Sequence, residues 1–388
     1  MSDRRLPWVV AVTAMVALLW LIGGSAGQAQ QTQSNGAMTP WGAPDLQGVW
    51  TDPYDINLQR PVALGTRELY TDAEVAEMDR KRMGAEVRPR AERGSVADVA
   101  GAYDGVFVSV MPTGKRTSLV IDPPDGRIPA LTPDVRQRRA ALRQYFLALK
   151  QNTPTCKNKI GDCADGTYGP PSPRLQERPP SYSLLNLNRA NGPEDRSLGE
   201  RCMGAQIPQL GGYWRVVQSP EALSIYYDVG QGQGFQRTIP ITNRPHLPPH
   251  VREPFGDSRG RWEGQTLVVD VTNFEPYLEF QGSRENLHLV ERWTRRDAKT
   301  LEYVVRIEDP TTWAGPWTVR QELALQDGKL NRIYYEPRCH EGNLGMAGLL
   351  LGARADERAY AEKRGPHPAS LDISSNSESL GTGINDPR

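Results

Sequence analysis

In the run NLHLVERWTRR, Asn286–Arg296, His288, Val290 and Arg292 share one face of an extended chain, and Leu289, Glu291 and Trp293 share the other. A histidine beside a carboxylate can give or take a proton near neutral pH. An arginine can bind a carboxylate or steady an oxyanion. Asp270 stands in a second alternating run, TLVVDVTNF, between Val269 and Val271. His288, Glu291, Arg292 and Asp270 recur at alternate positions on successive predicted strands, so several can converge as acid/base, orienting and charge-stabilising groups. A further concentration is RCHEGN, Arg338–Asn343, where a disulfide at Cys339 would hold His340 and Glu341 at the sheet edge. The plainer account turns the charged faces to water, with Glu302 and Arg320 as an ordinary cross-strand surface pair. Asp270, set between two valines, then has a wet or hydrogen-bonded role rather than a catalytic one.

Other chemistries find little support. His340-Glu341 has leucine at position 344, where a metal-binding H-E-x-x-H helix needs its second histidine. His246 and His250 are four apart, but Pro245, Pro248 and Pro249 forbid a helix that would put them on one face. GQGQGFQR, Gly230–Arg237, lacks phosphate-loop spacing and reads as a hairpin. The G-x-S-x-G spacing occurs at Gly23–Gly27, in the leader, and at Gly256–Gly260, but no helix is predicted after either, so neither reads as a nucleophile elbow. No metal and no cofactor is therefore expected. The formal net charge is zero, and the basic cluster Arg88–Arg93 alternates with acids and lacks interleaved aromatics, so no nucleic-acid partner is expected.

The elements that must position these groups follow from periodicity. Thr71–Glu74 is a capping box opening a helix over 72–84. Thr132-Pro133 opens a second helix. Gly48-Val49-Trp50 and Arg116–Asp122 read as early strands. From 213 onward the period becomes two, giving strands at about 213–219, 222–228, 234–242, 265–273, 287–296, 300–308, 317–326 and 329–336, with Asp327-Gly328 as a hairpin turn. Short connections make neighbours antiparallel. The fold class is mainly β: an antiparallel meander closing into a lipocalin-like β-barrel or a strongly curved sheet, with a few peripheral helices. A barrel of that size can hold one small ligand, and Trp50, Trp262, Trp293, Tyr303 and Tyr334 are the expected aromatic lining. A last helix, about 342–363, is expected at one barrel mouth.

Arg4 and Arg5, the apolar run Leu6–Ile22 and small residues through Ala29 describe a signal peptide over 1–29. A disordered linker over 30–43 is expected next. Residues 44–200 then supply strands, two helices and a proline-rich loop packing on the barrel. The meander and C-terminal helices occupy 201–364, and a flexible tail 365–388. A periplasmic or secreted location follows, with no membrane partner after signal cleavage. The four cysteines suit an oxidising compartment. They allow three pairings, of which Cys156–Cys163 and Cys202–Cys339 are favoured. Oligomeric state is left open.

PDLQGVWTD, GDSRGRWEGQTLVVDVTNF, ENLHLVERWTR, DPTTWAGPW and CHEGNLGMAGLLLGAR, in that order, resemble a family of uncharacterised exported bacterial proteins over about Pro44–Arg354. That resemblance implies export but no activity. Gly48-x-Trp50 entering a first strand, with a late meander, is similar to lipocalin-type barrels. The expected function is binding of a small, partly apolar molecule in a barrel cavity. The alternative is a metal-independent isomerase, lyase or hydrolase using a His–carboxylate pair, and a third option is a structural envelope protein recognised by its surface.

Overall fold

The computed structural model describes residues 38–86, 111–179, 187–203, 207–230, 233–326 and 343–373. Its centre is one sheet. In chain order the strands are β1 (Gly48–Thr51), β2 (Val120–Asp122), β3 (Tyr213–Gln218), β4 (Ala222–Gly230), β5 (Gln233–Pro240), β6 (Asp257–Glu263), β7 (Thr266–Thr272), β8 (His288–Arg295), β9 (Thr300–Glu308) and β10 (Trp317–Leu325). Spatial order along the sheet is β5-β4-β3-β1-β10-β9-β8-β7-β6. Every pairing on that path is antiparallel.

The two ends of the path nearly meet. Ile241 bridges Gly260 in parallel fashion, and the Thr242 amide donates to the Gly260 carbonyl at 2.8 Å. A ring with an odd number of strands cannot be antiparallel throughout, so one junction must be parallel. Parallel neighbours need a long crossover rather than a tight turn. Residues 241–256 are that crossover. The expected barrel is therefore present and nearly closed. Strand β6, over DSRGRWE, was not anticipated from its turn-like glycines and charges; pairing with β7 along its whole length makes it a strand. β1 is short, and where it ends β2 takes over the edge of β10, with a register shift at Thr318/Val319.

The inner face is filled. Trp50, Trp214, Trp293, Trp317, Tyr227, Tyr303, Leu267, Val269, Leu289, Val305 and Leu323 are at most 2% exposed. Ring centroids lie 5.3 Å apart for Trp214–Trp293, 4.7 Å for Trp293–Tyr303 and 4.8 Å for Tyr227–Phe235, within the range of favourable aromatic pairs.

Helices flank the sheet. α1 (Asp72–Glu86) begins with the expected capping box: the Glu74 amide donates to Thr71 Oγ1 at 3.2 Å, and Glu74 Oε2 accepts from the Thr71 amide at 2.8 Å. α2 (Pro133–Lys150) starts at proline and buries Tyr145 and Leu149. The short α3 (Pro154–Lys157) carries Cys156, which is bonded to Cys163. Cys202 is also disulfide-bonded; its expected partner Cys339 lies outside the described residues. α4 (Leu344–Ala361) is tied to the 187–203 segment, where Asn343 donates to the Glu200 carbonyl and Arg354 to that of Ala190. Among the described residues no helix is long and apolar enough to cross a membrane.

Candidate functional site

The alternation of β8 sorts the expected residues onto opposite sides of the wall. Leu289, Glu291 and Trp293 face inward and are at most 1% exposed, while His288 and Arg292 face outward. Glu291 therefore cannot orient His288. It belongs instead to an internal network. Arg237 on β5 grips it with Nη1 at 3.0 Å from Oε1 and Nη2 at 2.7 Å from Oε2, and the Tyr303 hydroxyl donates to Oε1 at 2.7 Å. Arg237 Nε and Nη2 also reach Ser258 Oγ, at 3.1 and 2.9 Å. Burial lifts the Tyr227 and Tyr303 hydroxyls well above the ordinary tyrosine pKa. Burial alone would lower the Arg237 pKa, but the Glu291 carboxylate outweighs it and the net shift is upward.

The outer face carries a different arrangement. Asp270 on β7 accepts on Oδ1 from two imidazoles, His246 Nε2 at 3.0 Å and His288 Nε2 at 3.2 Å. The far nitrogen of each ring meets a second carboxylate: His246 Nδ1 lies 2.8 Å from Asp257 Oδ2, and His288 Nδ1 lies 2.6 Å from Glu308 Oε1. Asp257, His246, Asp270, His288 and Glu308 thus form one chain of alternating carboxylates and imidazoles across β6 to β9. A neutral imidazole has one N–H, so donation by His288 to carboxylates on both sides requires its imidazolium form. The hydrogen bond to Asp270, together with that to Glu308 and against partial burial, raises the His288 pKa above the ordinary value. The same His288 hydrogen bond holds the Asp270 carboxyl below its ordinary pKa. Burial would raise Glu308, but His288 and Arg306 outweigh it and its pKa is lowered.

The crossover puts His246 there. Its prolines keep it extended and remove backbone donors, so side chains strap it down. Asn273 Nδ2 donates to the carbonyls of Leu247 at 2.9 Å and Val251 at 3.1 Å. The Leu247 amide donates to Asp257 Oδ2 at 2.9 Å. Beside His246 lies an open groove of about 320 Å³ lined by Thr242, Asn243, Arg244, Arg259, Arg261 and Asp270. Arg259 sits directly across from Asp270 in the β6–β7 register. Among the described residues, Asp270 Oδ2 and the Arg244 guanidinium carry no hydrogen bond or ion pair.

Of the expected catalytic set, Asp270 and His288 come together. Arg292 lies four residues along β8 from His288, roughly 13 Å away at the usual strand rise, and pairs with Glu263 at 3.0 Å. His340, Glu341 and Tyr334 lie outside the described residues. Trp50, Trp293 and Tyr303 are core side chains packed on other core side chains, not the walls of a void. Trp262 is half-buried against the same core. Arg320 does reach Glu302, at 3.2 Å, but Glu302 is buried rather than an exposed surface group. His246 carries no local signal, because its four-residue spacing to His250 has meaning only on a helix and an extended crossover needs no such spacing. No described group of three or more His, Cys, Asp and Glu side chains is disposed to hold a metal ion.

One more carboxylate is perturbed. Asp52, just past β1, accepts from Gln321 Nε2 at 2.9 Å. Burial, reinforced by nearby Asp55 and opposed by the Gln321 hydrogen bond, pushes its pKa up to about 6.

No family model matches the chain, and comparison with curated proteins finds no match. Among solved structures, the crystal structure of a mutant of the fluorescent protein UnaG is similar at 12% identity over 33% of this chain and 85% of that chain, with a TM-score of 0.20. A likeness that distant leaves the functional reading to the residues themselves, and they put a mainly β, nearly closed barrel beneath an outer His–carboxylate groove.

Proposed function

We propose that this is an exported small-molecule-binding protein whose binding site is the outer groove over β6 and β7. The observation that carries the reading is the contrast in free space. The inner wall is filled by aromatic and aliphatic side chains, whereas the groove leaves about 320 Å³ open against guanidinium, imidazole and carboxylate groups. Ligand sites combine a concave surface with a few convergent polar groups and perturbed pKa values. The Cys156–Cys163 disulfide supports an oxidising, periplasmic or extracellular setting. Native mass spectrometry on protein purified from its own envelope tests the reading. A discrete small mass is expected under gentle conditions, lost on denaturation and absent from His246→Ala. A mass retained equally by His246→Ala would move the site elsewhere.

A second reading is an acid/base enzyme on the same groove, favoured by the single Asp270 oxygen that joins His246 to His288. Such a chain can pass a proton between groups of nearby affinity. Deuterium from solvent would then enter the retained molecule in the wild type and not in Asp270→Asn. Equal incorporation in both proteins would remove the enzyme reading and leave binding.

A further inference from the structure

From the groove's lining we infer the class of molecule it takes: a small anion, carboxylate or phosphate, that also carries a hydroxyl or amine donor beside the charged group. The inference rests on the groove being the binding site.

Three of its lining side chains are arginines, Arg244, Arg259 and Arg261, and they face one carboxylate, Asp270. The three differ in how far they are already engaged. Arg259 Nη1 lies 2.5 Å from Asp257 Oδ1, and its Nε donates to the Pro245 carbonyl at 3.3 Å. Arg261 Nη2 lies 2.8 Å from Glu263 Oε1. Glu263 is shared with Arg292, so its charge is divided between two guanidiniums. Arg244 has no ion-pair partner among the described residues, and it lines the open space. Planar guanidiniums match the paired oxygens of carboxylate and phosphate. Two of the three are held by neighbours and the third has no ion-pair partner among the described residues, which is a scaffolded anion site with one uncommitted guanidinium.

The one carboxylate in the lining adds a second requirement. Asp270 is held in its ionised form by His288, with His246 on the same oxygen. Its Oδ1 is saturated by the two imidazoles, leaving Oδ2 toward new partners. An ionised oxygen among cationic groups repels a second anionic oxygen and accepts from an O–H or N–H. A bare carboxylate would satisfy the arginines and leave Asp270 Oδ2 unpaired. A hydroxy acid, an amino acid or a phosphate with an adjacent hydroxyl would satisfy both. Thr242 and Asn243 at the rim supply neutral groups for the rest of the molecule.

The test is a set of amide NMR titrations of the full-length protein with three probes: propionate, lactate and inorganic phosphate. Lactate differs from propionate by one hydroxyl. Anion probes are expected to shift the amides of Asn243, Arg244 and Arg261, and raised sodium chloride is expected to weaken them. Lactate is expected to bind about tenfold more tightly than propionate, the worth of one hydrogen bond to a charged group. Arg244→Ala combined with Arg261→Ala, both at exposed positions, is expected to weaken lactate by at least about tenfold. Phosphate binding more tightly than lactate would assign the anion as phosphate, and the reverse as carboxylate; either upholds the class. Shifts unchanged in the double variant, meaning an adventitious ion only, would overturn it, as would equal affinity for lactate and propionate. A neutral mass retained in the groove while no anion binds would overturn this inference and leave the binding reading intact; no retained mass and no groove shifts would sink both.

Discussion

Two charge networks both draw on strands β6, β8 and β9, one on each side of the barrel wall, and they differ in almost everything but composition. Inside, Arg237, Glu291, Tyr303 and Ser258 satisfy one another and are at most 5% exposed. Outside, Asp257, His246, Asp270, His288 and Glu308 are likewise linked, yet four of the five side chains are roughly a third exposed. The inner groups have no route to water or solute, so their chemistry is spent on holding the barrel together. The outer groups keep an unpaired oxygen beside an open groove, so they retain something to offer a ligand. A buried ionisable group is therefore not in itself a functional signal. What separates the two networks is an atom left unsatisfied next to free space.

Breaking the inner network should have the largest effect. Glu291→Ala leaves Arg237 charged and buried, and is expected to cost about 3–5 kcal/mol in denaturant unfolding. Glu308→Gln, its outer counterpart, is expected to cost about 1 kcal/mol or less. Equal losses would erase the distinction between the two faces. Replacing both inner partners, with Arg237→Met and Glu291→Leu, should recover most of the single-variant loss, since an apolar pair has no unpaired charge. A double variant as unstable as Glu291→Ala would mean the pair itself contributes the stability.

Asp52 lies between these extremes, a carboxylate partly sealed with one hydrogen bond. Its folded pKa, about 6, is above the ordinary 3.8, so the folded state binds its proton more tightly. Its burial costs nothing below about pH 4 and costs increasingly as the pH rises through 6. Asp52→Asn is therefore expected to stabilise by about 2 kcal/mol at pH 8 and to be neutral at pH 4. A pH-independent effect would remove the titration account.

The alternation in NLHLVERWTRR was legible: it correctly set His288 and Arg292 against Leu289, Glu291 and Trp293. Asp270 as a hydrogen-bonded outer residue was legible for the same reason. What the pattern could not give was the partner of Glu291, because Arg237 is 54 residues away in the chain and only barrel closure brings it across. β6 was hidden because glycine, aspartate and arginine read as turn residues, and tertiary pairing overrode that preference. His246 was hidden because its position depends on a parallel junction, a property of the whole ring rather than of any short run.

On the outer face, smaller effects sharpen the picture. The His288 imidazole should titrate above the ordinary histidine value, and Asp270→Asn should lower it, as read by imidazole NMR. Because the folded pKa is raised, His288 contributes stability below its unfolded value near 6.5, and that contribution fades as pH rises through the folded one. An unmoved titration in Asp270→Asn would break the chain as drawn. Arg292→Ala, which disturbs only an exposed pair with Glu263, is expected to change stability by less than about 0.5 kcal/mol and leave small-molecule retention intact.

The central claim is that small molecules are met on the outer face and not within the barrel. The most direct test is an amide and indole NMR map of the protein titrated with the small-molecule extract of the cells that produce it. The account predicts shifts at Asn243, Arg244, Arg259 and Arg261 with the buried indoles of Trp50, Trp214, Trp293 and Trp317 unmoved. Shifts confined to those indoles, with the groove silent, would contradict it and return the site to the barrel interior.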